Sequence, residues 1–527
     1  MVTDEDFVYG HVMLAISGGL YPNKLDILRE YLQNSYDEIN KFINSAASEK
    51  EKLKRLSESK IEIKIDSDTL YIFDNGPGMD IQTLNEYRKI GFSKKTKGDY
   101  AGWRGIGKAA GFAVAEKIIV NTSTGNGIGH QLIYNAKELR DDIINAKKED
   151  INIPLDSLIP NHSDIKPVEA KKGSSYTMIE LHNIAEESPE LLDEDEVIAH
   201  LSLIAPLPFN PDFNYADEIE ENLKFHIKDY NPMNLFVNGE KIYKPYMHEW
   251  TDGKKSTNVK SPVIKTVYDN DNNLIAVCWY CMHNFTGQIK TKMIISNIET
   301  LVRGLYFRMH NIRIGDENLT RQYLWLKKAP RSFHAFGEIH ILDQRIEPTS
   351  GRNDFVDNYA RSFLFHKSLI ISKEINDKAE DHSIKTISKV VIEKKETEII
   401  EISKKIEKKR IPKDIVLEYL HKAQDIKEEV EKRKKATPER KVKAKADLVI
   451  LEADKAIKKL SASLKVDVKE EDKVYKEITD ELRLSGESLE VFEILINVLK
   501  NYYANDPLAF EEIYNRIEKA LVDAFSS

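Results

Sequence analysis

The chain holds 527 residues, 41% of them hydrophobic and 31% charged, with a net charge of −9. That length exceeds what one core can organise and implies roughly three or four domains. The acidic balance excludes a wholly basic nucleic-acid coat, and no apolar run approaches the roughly 20 residues of a membrane span.

The chain opens with Asp4, Glu5 and Asp6 where a signal peptide would carry lysines, so the expected location is cytoplasmic. Residues 28–37 read as a helix in which Glu30, Asn34 and Asp37 lie three or four positions apart. That spacing puts two acids and an amide on one face. Residues 41–60 are polar and helix-prone and read as a surface excursion. Residues 61–73 read as a strand that runs through Asp74 into a tight turn made by Gly76, Pro77, Gly78 and Met79. A glycine-rich stretch follows, Gly102, Trp103, Arg104, Gly105, Ile106 and Gly107, and opens a small-residue helix over 109–115. Such loops aim backbone N–H groups at phosphate. Lys108 completes no P-loop, because the G-x-x-x-x-G-K-[ST] spacing is missing. Residues 117–122 read as a strand, 124–172 contain a polar insertion and a turn-rich stretch at 160–164, and Gly173 to Thr177 lead into an alternating strand over 178–181.

Three prolines at 206, 208 and 211 mark a boundary. Strand-like runs at 235–242, 263–268, 274–282, 304–314 and 337–342 then describe a β-rich α+β domain, with Asp269 to Asn273 as a hairpin turn. Its two cysteines, Cys278 and Cys281, sit three apart in a strand and so face opposite sides, which suits neither redox nor zinc chemistry. From about 366 the chain reads as helix. Val391, Ile392, Ile399, Ile402 and Ile406 form a coiled-coil-like face interrupted by Pro412 and Pro438. Residues 386–460 carry 22 lysines and arginines against 15 acids, densest at Lys432 to Lys435 and Arg440 to Lys445. This patch is compatible with a phosphate backbone and equally with a solvated helical surface, and no aromatic residues interleave it for base stacking. Residues 466–527 end in amphipathic helices with Leu489, Phe492, Leu495, Val498 and Leu499, suited to dimerisation or to a partner.

The order E-x-x-x-N, D-x-G-x-G, G-x-x-G-x-G, then Thr177 before a strand, resembles the nucleotide site of the GHKL superfamily: gyrase, the large heat-shock chaperones, histidine kinases, MutL and the MORC proteins. The resemblance covers about the first 360 residues. It implies an α+β chain: a Bergerat-type ATP-binding α/β sandwich (1–205), an S5-like α+β transducer domain (206–365), a basic helical, coiled-coil region (366–465) and a C-terminal helical bundle (466–527). It implies ATP and Mg²⁺ as cofactors. Glu30 would be the base that orients water, and Asn34 would be the magnesium ligand, a hard cation's single protein oxygen. Asp37 would orient groups near the purine, and Asp74 would accept from the adenine amine. Gly76, Gly78 and Met79 would pass or pack against the base. Residues 80–101 would be the lid, with Ser93 and either Lys94 or Lys95 touching phosphate. Residues 102–107 and Lys108 would wrap the phosphates, and Thr177 would close the site.

Pro348, Thr349, Arg352, Asp354 and Phe355 are similar to the P-T-x-x-[KR]-x-D-F segment of MORC proteins, where the basic residue reaches the γ-phosphate. That implies Arg352 here, with Arg345 as the alternative. The residues before the ATP site leave no room for a phospho-accepting hairpin and those after it do not suggest cleavage machinery, so neither a histidine kinase nor a gyrase-type topoisomerase is expected. The resemblance therefore implies an ATP-closed homodimeric clamp of MORC or MutL type that acts with DNA, RNA or a partner effector such as a nuclease, in phage defence or DNA processing. The apolar run 7–16 would either pack on its own domain or reach to the second copy. The rival expectation is a chaperone-like ATPase acting on client protein.

Overall fold

The computed structural model describes residues 21–91, 105, 107–151, 153–252, 255–283, 292–325, 329–407 and 412–481, and short helical pieces between 494 and 517. It is a mixed α+β chain with a helical C-terminal region, divided into two compact units at 379/380.

In the first unit the helix α1 (Asp26–Asn44) and α2 (Glu49–Glu58) precede a hairpin of β1 (Lys60–Ile65) and β2 (Leu70–Asp74). The single strand expected over 61–73 is therefore two. Asp66 and Thr69 exchange backbone hydrogen bonds across the turn (Asp66 N to Thr69 O at 2.9 Å, Thr69 N to Asp66 O at 3.4 Å), and Asp-Ser-Asp is turn chemistry that an apolar count overlooks. After α3 (Ile81–Arg88), the expected small-residue α-helix is a short 3₁₀ turn, Gly107–Ala113. Then come β3 (Ala115–Thr124), β4 (Ile128–Asn135), α4 (Ala136–Lys148), α5 (Leu155–Asn161), β5 (Ser163–Glu169), β6 (Ser175–Ile184), α6 (Glu194–Ile204) and α7 (Ala216–His226). Within 124–172, where a polar insertion and turns are expected, β4 and β5 extend the sheet.

Two further strands, β7 (Asn234–Val237) and β8 (Glu240–Lys241), complete an eight-stranded sheet of order β5-β4-β3-β6-β2-β1-β7-β8, antiparallel except for β1 with β7. The run 235–242, expected among the strands of the second domain, thus pairs with the first sheet through β7 and β8. Helix α1 lays Ile27, Leu28, Tyr31, Ile39 and Ile43 on the core of this sheet, at the three- and four-residue steps that make one helical stripe. The register of β2 with β6 sets Asp74 opposite Thr177, and that of β3 with β6 sets Thr177 opposite Thr122.

The small ribbons β9 (Glu249–Asp252) with β10 (Lys255–Asn258) and, further on, β13 (Met293–Ile295) with β14 (Ile298–Thr300) flank a second sheet. That sheet contains β11 (Val263–Tyr268), β12 (Leu274–Met282), β15 (Gly304–Met309), β16 (Ile312–Ile314) and β17 (Ala335–Ile341), in the order β11-β12-β17-β15-β16. Asp269 N bonds to Asn273 O at 2.9 Å, closing the expected turn between β11 and β12. Cys278 packs into the core on one face of β12 and Cys281 into the core on the other, and burial pushes both thiols up. Helix α8 (Glu317–Leu324) covers β15.

In the second unit, the far part of α9 (Tyr359–Glu407), α10 (Lys413–Ala436) and α11 (Arg440–Glu481) share a core of Ile392, Ile399, Ile402, Ile426, Val430, Val442 and Val449. Ala423, Ala446 and Ala453 lie in the same core, where small side chains let helices approach. Ile406 packs on this core, and Val391 is half-buried. Several cations of the basic stretch are tied within it: Lys434 to Asp447, Lys445 to Glu396 at 2.7 Å and Arg433 to Glu429 at 3.4 Å. Lys432, Lys435, Arg440 and Lys441 are exposed. Leu495 and Val498 are exposed in short helical pieces, whereas Leu489 and Phe492 lie outside the described residues.

Candidate functional site

Strand β2 delivers Asp74 to the end of the sheet, where its carboxylate is buried. It accepts a hydrogen bond from Ser35 Oγ at 2.8 Å and another from Gly76 N at 3.0 Å. Burial pushes its pKa up to about 6, and the two donors offset only part of that cost. The turn beyond is fixed by Gly78, whose φ is +66° and whose site has no room for a side chain, since a Cβ there would overlap Ser123 O. Met79 N donates to Thr122 Oγ1 at 2.8 Å. That hydroxyl in turn donates to Tyr176 O at 2.9 Å and lies 3.4 Å from Thr177 Oγ1. Two hydroxyls thus stand beside the buried acid.

On the other side, α1 presents Glu30, with Asn34 one turn later and Asp37 nearly another. Glu30 Oε1 is buried and has no hydrogen-bond partner among the described residues. It stands between two guanidinium groups, 3.8 Å from Arg29 Nε and 3.6 Å from Arg352 Nε. Gly107 presses against it so closely that a Cβ would overlap Glu30 Oε2.

Arg352 comes from a loop of the second sheet's domain, closed by the Pro348 to Phe355 bridge. Thr349 N donates to Asp354 O at 2.8 Å and Arg352 N to Thr349 O at 3.0 Å, which holds Arg352 at φ +53°. Arg29 Nη2 donates to Gly351 O at 2.9 Å. Arg345, the alternative cation, is exposed and pairs with Asp343 at 2.7 Å.

These groups line one cleft of about 1180 Å³, which includes Glu30, Asn34, Asp37, Asp74, Gly78, Met79, Gly105, Gly107, Lys108, Thr177 and Arg352. Gly76 lies beneath it, bonded to Asp74. Lys108 Nζ lies 5.4 Å from the centre of the Tyr87 ring. Ser93, Lys94, Lys95, Gly102, Trp103, Arg104 and Ile106 lie outside the described residues. Sequence reasoning missed Ser35, Thr122 and Arg29. Ser35 left one signal, a small hydroxyl on an otherwise apolar helix stripe; Thr122 left none, since only strand register brings it to Met79.

A magnesium nucleotide fits this cleft. It offers a buried acceptor for an exocyclic amine at Asp74, an amide oxygen at Asn34 suited to a hard cation, and at Glu30 a carboxylate oxygen that accepts no hydrogen bond from the described residues.

Residues 26–169 match the family model described as histidine kinase-, DNA gyrase B-, and HSP90-like ATPase. The chaperone protein HtpG of Campylobacter jejuni is 41% identical over 117 residues, 19% of this chain and 19% of that protein. HtpG of Fusobacterium nucleatum is 31% identical over 120 residues, 20% of each. HtpG of Ehrlichia ruminantium is 31% identical over 145 residues, 24% of this chain and 23% of the relative. The chain thus spans about a fifth of the length of the curated relatives it matches. Motif order, a carboxylate at the end of a strand in a mostly antiparallel sheet, and the matched segment agree: residues 26–169 form a domain of the GHKL type, the type described as histidine kinase-, DNA gyrase B- and HSP90-like ATPase.

Proposed function

We propose that the chain is a Mg²⁺-dependent ATP hydrolase whose second domain contributes Arg352 to the site. The observation that carries this reading is the placement of Glu30: a buried carboxylate oxygen without a hydrogen bond among the described residues, flanked by Arg352, in the same cleft as Asp74. Asp74 would select adenine, Asn34 would hold the magnesium ion, and Glu30 would orient the attacking water. Bound magnesium would supply charge neutralisation at the phosphates. Arg352 is suited to a phosphoryl group because its planar fork bonds in pairs and keeps its charge. The test is ATP turnover by the purified chain: Glu30→Ala should lower it at least about 100-fold, as loss of a general base does, while ADP still binds. Turnover equal to the parent's would remove the reading.

For the partner, we propose a homodimer that closes on ATP and acts on client protein, because the matched relatives are chaperones. The second reading is a MORC- or MutL-like clamp on nucleic acid, possessed of its own support in the exposed Lys432, Lys435, Arg440 and Lys441 around the α10–α11 turn. Duplex DNA and an unfolded polypeptide, added separately to the ATPase assay, separate the two. Stimulation by DNA that is lost on reversing those four charges supports the clamp, and stimulation by polypeptide alone supports the chaperone-like reading.

A further inference from the structure

Helix α6 is held at both ends by the domain of the second sheet. At its start, Asp195 accepts Ser296 Oγ at 2.5 Å and Asn297 Nδ2 at 3.1 Å from the turn between β13 and β14. At its end, Arg308 of β15 donates to Leu203 O at 2.9 Å and to Ala205 O at 3.1 Å, filling carbonyls that a helix terminus leaves without partners. Between these anchors α6 presents His200, whose Nε2 lies 3.2 Å from Asp26 Oδ1 in the first turn of α1. The same Asp26 oxygen lies 3.3 Å from Arg29 Nη1.

Arg29 then reaches Gly351 O with its other terminal nitrogen, one residue before Arg352. The loop is tied from its far side too: Gly315 N donates to Arg352 O at 2.8 Å, and Arg313 Nε donates to Gly315 O at 2.8 Å. Asp26 therefore sits where α1, α6, the end of β16 and the arginine loop meet. The groups that face it are the guanidinium of Arg29 on its own helix, that of Arg313 on β16, and the imidazole of His200 on α6, which burial holds below its ordinary range. Burial alone would raise its pKa, yet these neighbours hold it below the usual carboxylate range, so the anion is the form this junction is built around.

We propose that Asp26 is a positioning residue: it fixes Arg29 between α1 and the arginine loop and thereby sets how Arg352 stands to Glu30. Asp26 lines no part of the cleft, and its effect on chemistry passes through Arg29 and the loop. This rests on the ATPase reading above for its kinetic consequence but not for its structural one. An arginine with one terminal nitrogen held by a carboxylate keeps its fork in one orientation, and releasing that end frees the other.

Asp26→Asn keeps the shape and removes the charge. Its affinity for ADP should stay within about twofold of the parent while kcat falls roughly 10- to 100-fold, the effect of a misplaced catalytic group. His200→Gln should move kcat in the same direction, the double variant should be no worse than Asp26→Asn alone, and Asp26→Glu should recover part of the loss. Without any nucleotide, the amides of Gly315 and Arg352 should exchange with deuterium at least about tenfold faster in Asp26→Asn, since both bonds depend on the seated loop. If Asp26→Asn does not fold, His200→Gln carries the same two measurements. Unchanged exchange at Gly315 and Arg352, or a loss of ADP affinity that parallels the loss of kcat, overturns the proposal. A parent chain with no ATP turnover sinks the ATPase reading instead, and the exchange measurement then still decides the role of Asp26.

Discussion

A carboxylate buried as deeply as Asp74 holds its proton more tightly folded than unfolded, and the sign of the consequence follows. Its pKa rises from 3.8 to about 6 because burial penalises the anion more than Ser35 and Gly76 repay. Between those two values the folded state binds more protons than the unfolded one, so stability falls as pH climbs from 3.8 to 6. The span corresponds to about 3 kcal/mol. Asp74→Asn should flatten that part of the stability curve and be at least as stable as the parent at pH 7. It should also lose adenine-nucleotide affinity by roughly 100-fold, because a buried amide whose nitrogen faces an amine leaves two donors opposed. Urea unfolding at pH 4, 5, 6 and 7, run beside ADP titration, checks both halves. A variant that binds ADP as the parent does would remove Asp74 from the purine site.

At the scale of elements, spacing made Glu30, Asn34 and Asp74 legible. Three residues on one helical face and an acid before a Gly-x-Gly turn are periodic facts that need no tertiary knowledge. What strand order contributes was not legible in the same way. Thr122 reaches Met79 only because β6 lies between β2 and β3. Residues 235–242 read as part of the next domain because local alternation says that a strand exists and nothing about which sheet takes it. The hairpin over 60–74 was missed where short polar turn residues sat within an apolar run. The turn after β2 tests the element directly. At Gly78, φ is +66° and a methyl group would meet the Ser123 carbonyl. Gly78→Ala should therefore cost about 3 kcal/mol from strain and overlap together. The shifted turn would also draw Met79 N from Thr122, so ADP affinity should fall along with the thermal midpoint. A midpoint within a degree of the parent's would mean that the turn can move aside.

Across the first unit as a whole, the two sheets meet over a buried charge cluster that no local pattern announces. Glu338 on β17 accepts from Lys244 Nζ at 2.8 Å, Tyr246 OH at 3.2 Å, Trp279 Nε1 at 3.1 Å and Arg308 Nε, and lies 3.0 Å from His340 Nε2. Burial would raise its pKa, but the Arg308 and Lys244 charges outweigh that and hold it well below 4.5. The stabilisation it provides is accordingly complete above that value and is lost as pH falls below it. The same Arg308 holds the end of α6, so Glu338 orients the group that joins one sheet's domain to the other. Glu338→Gln would leave two buried cations facing a neutral amide, a change that costs about 3 to 5 kcal/mol where a buried pair is broken. Because the loss falls on the join, it should do more than lower one midpoint. In scanning calorimetry the transition of residues 1–379 should split in two, with ADP raising only the component that contains the nucleotide cleft. A single transition, lowered but still raised as a whole by ADP, would mean that the two sheets stay coupled through α1 and α6 without this charge.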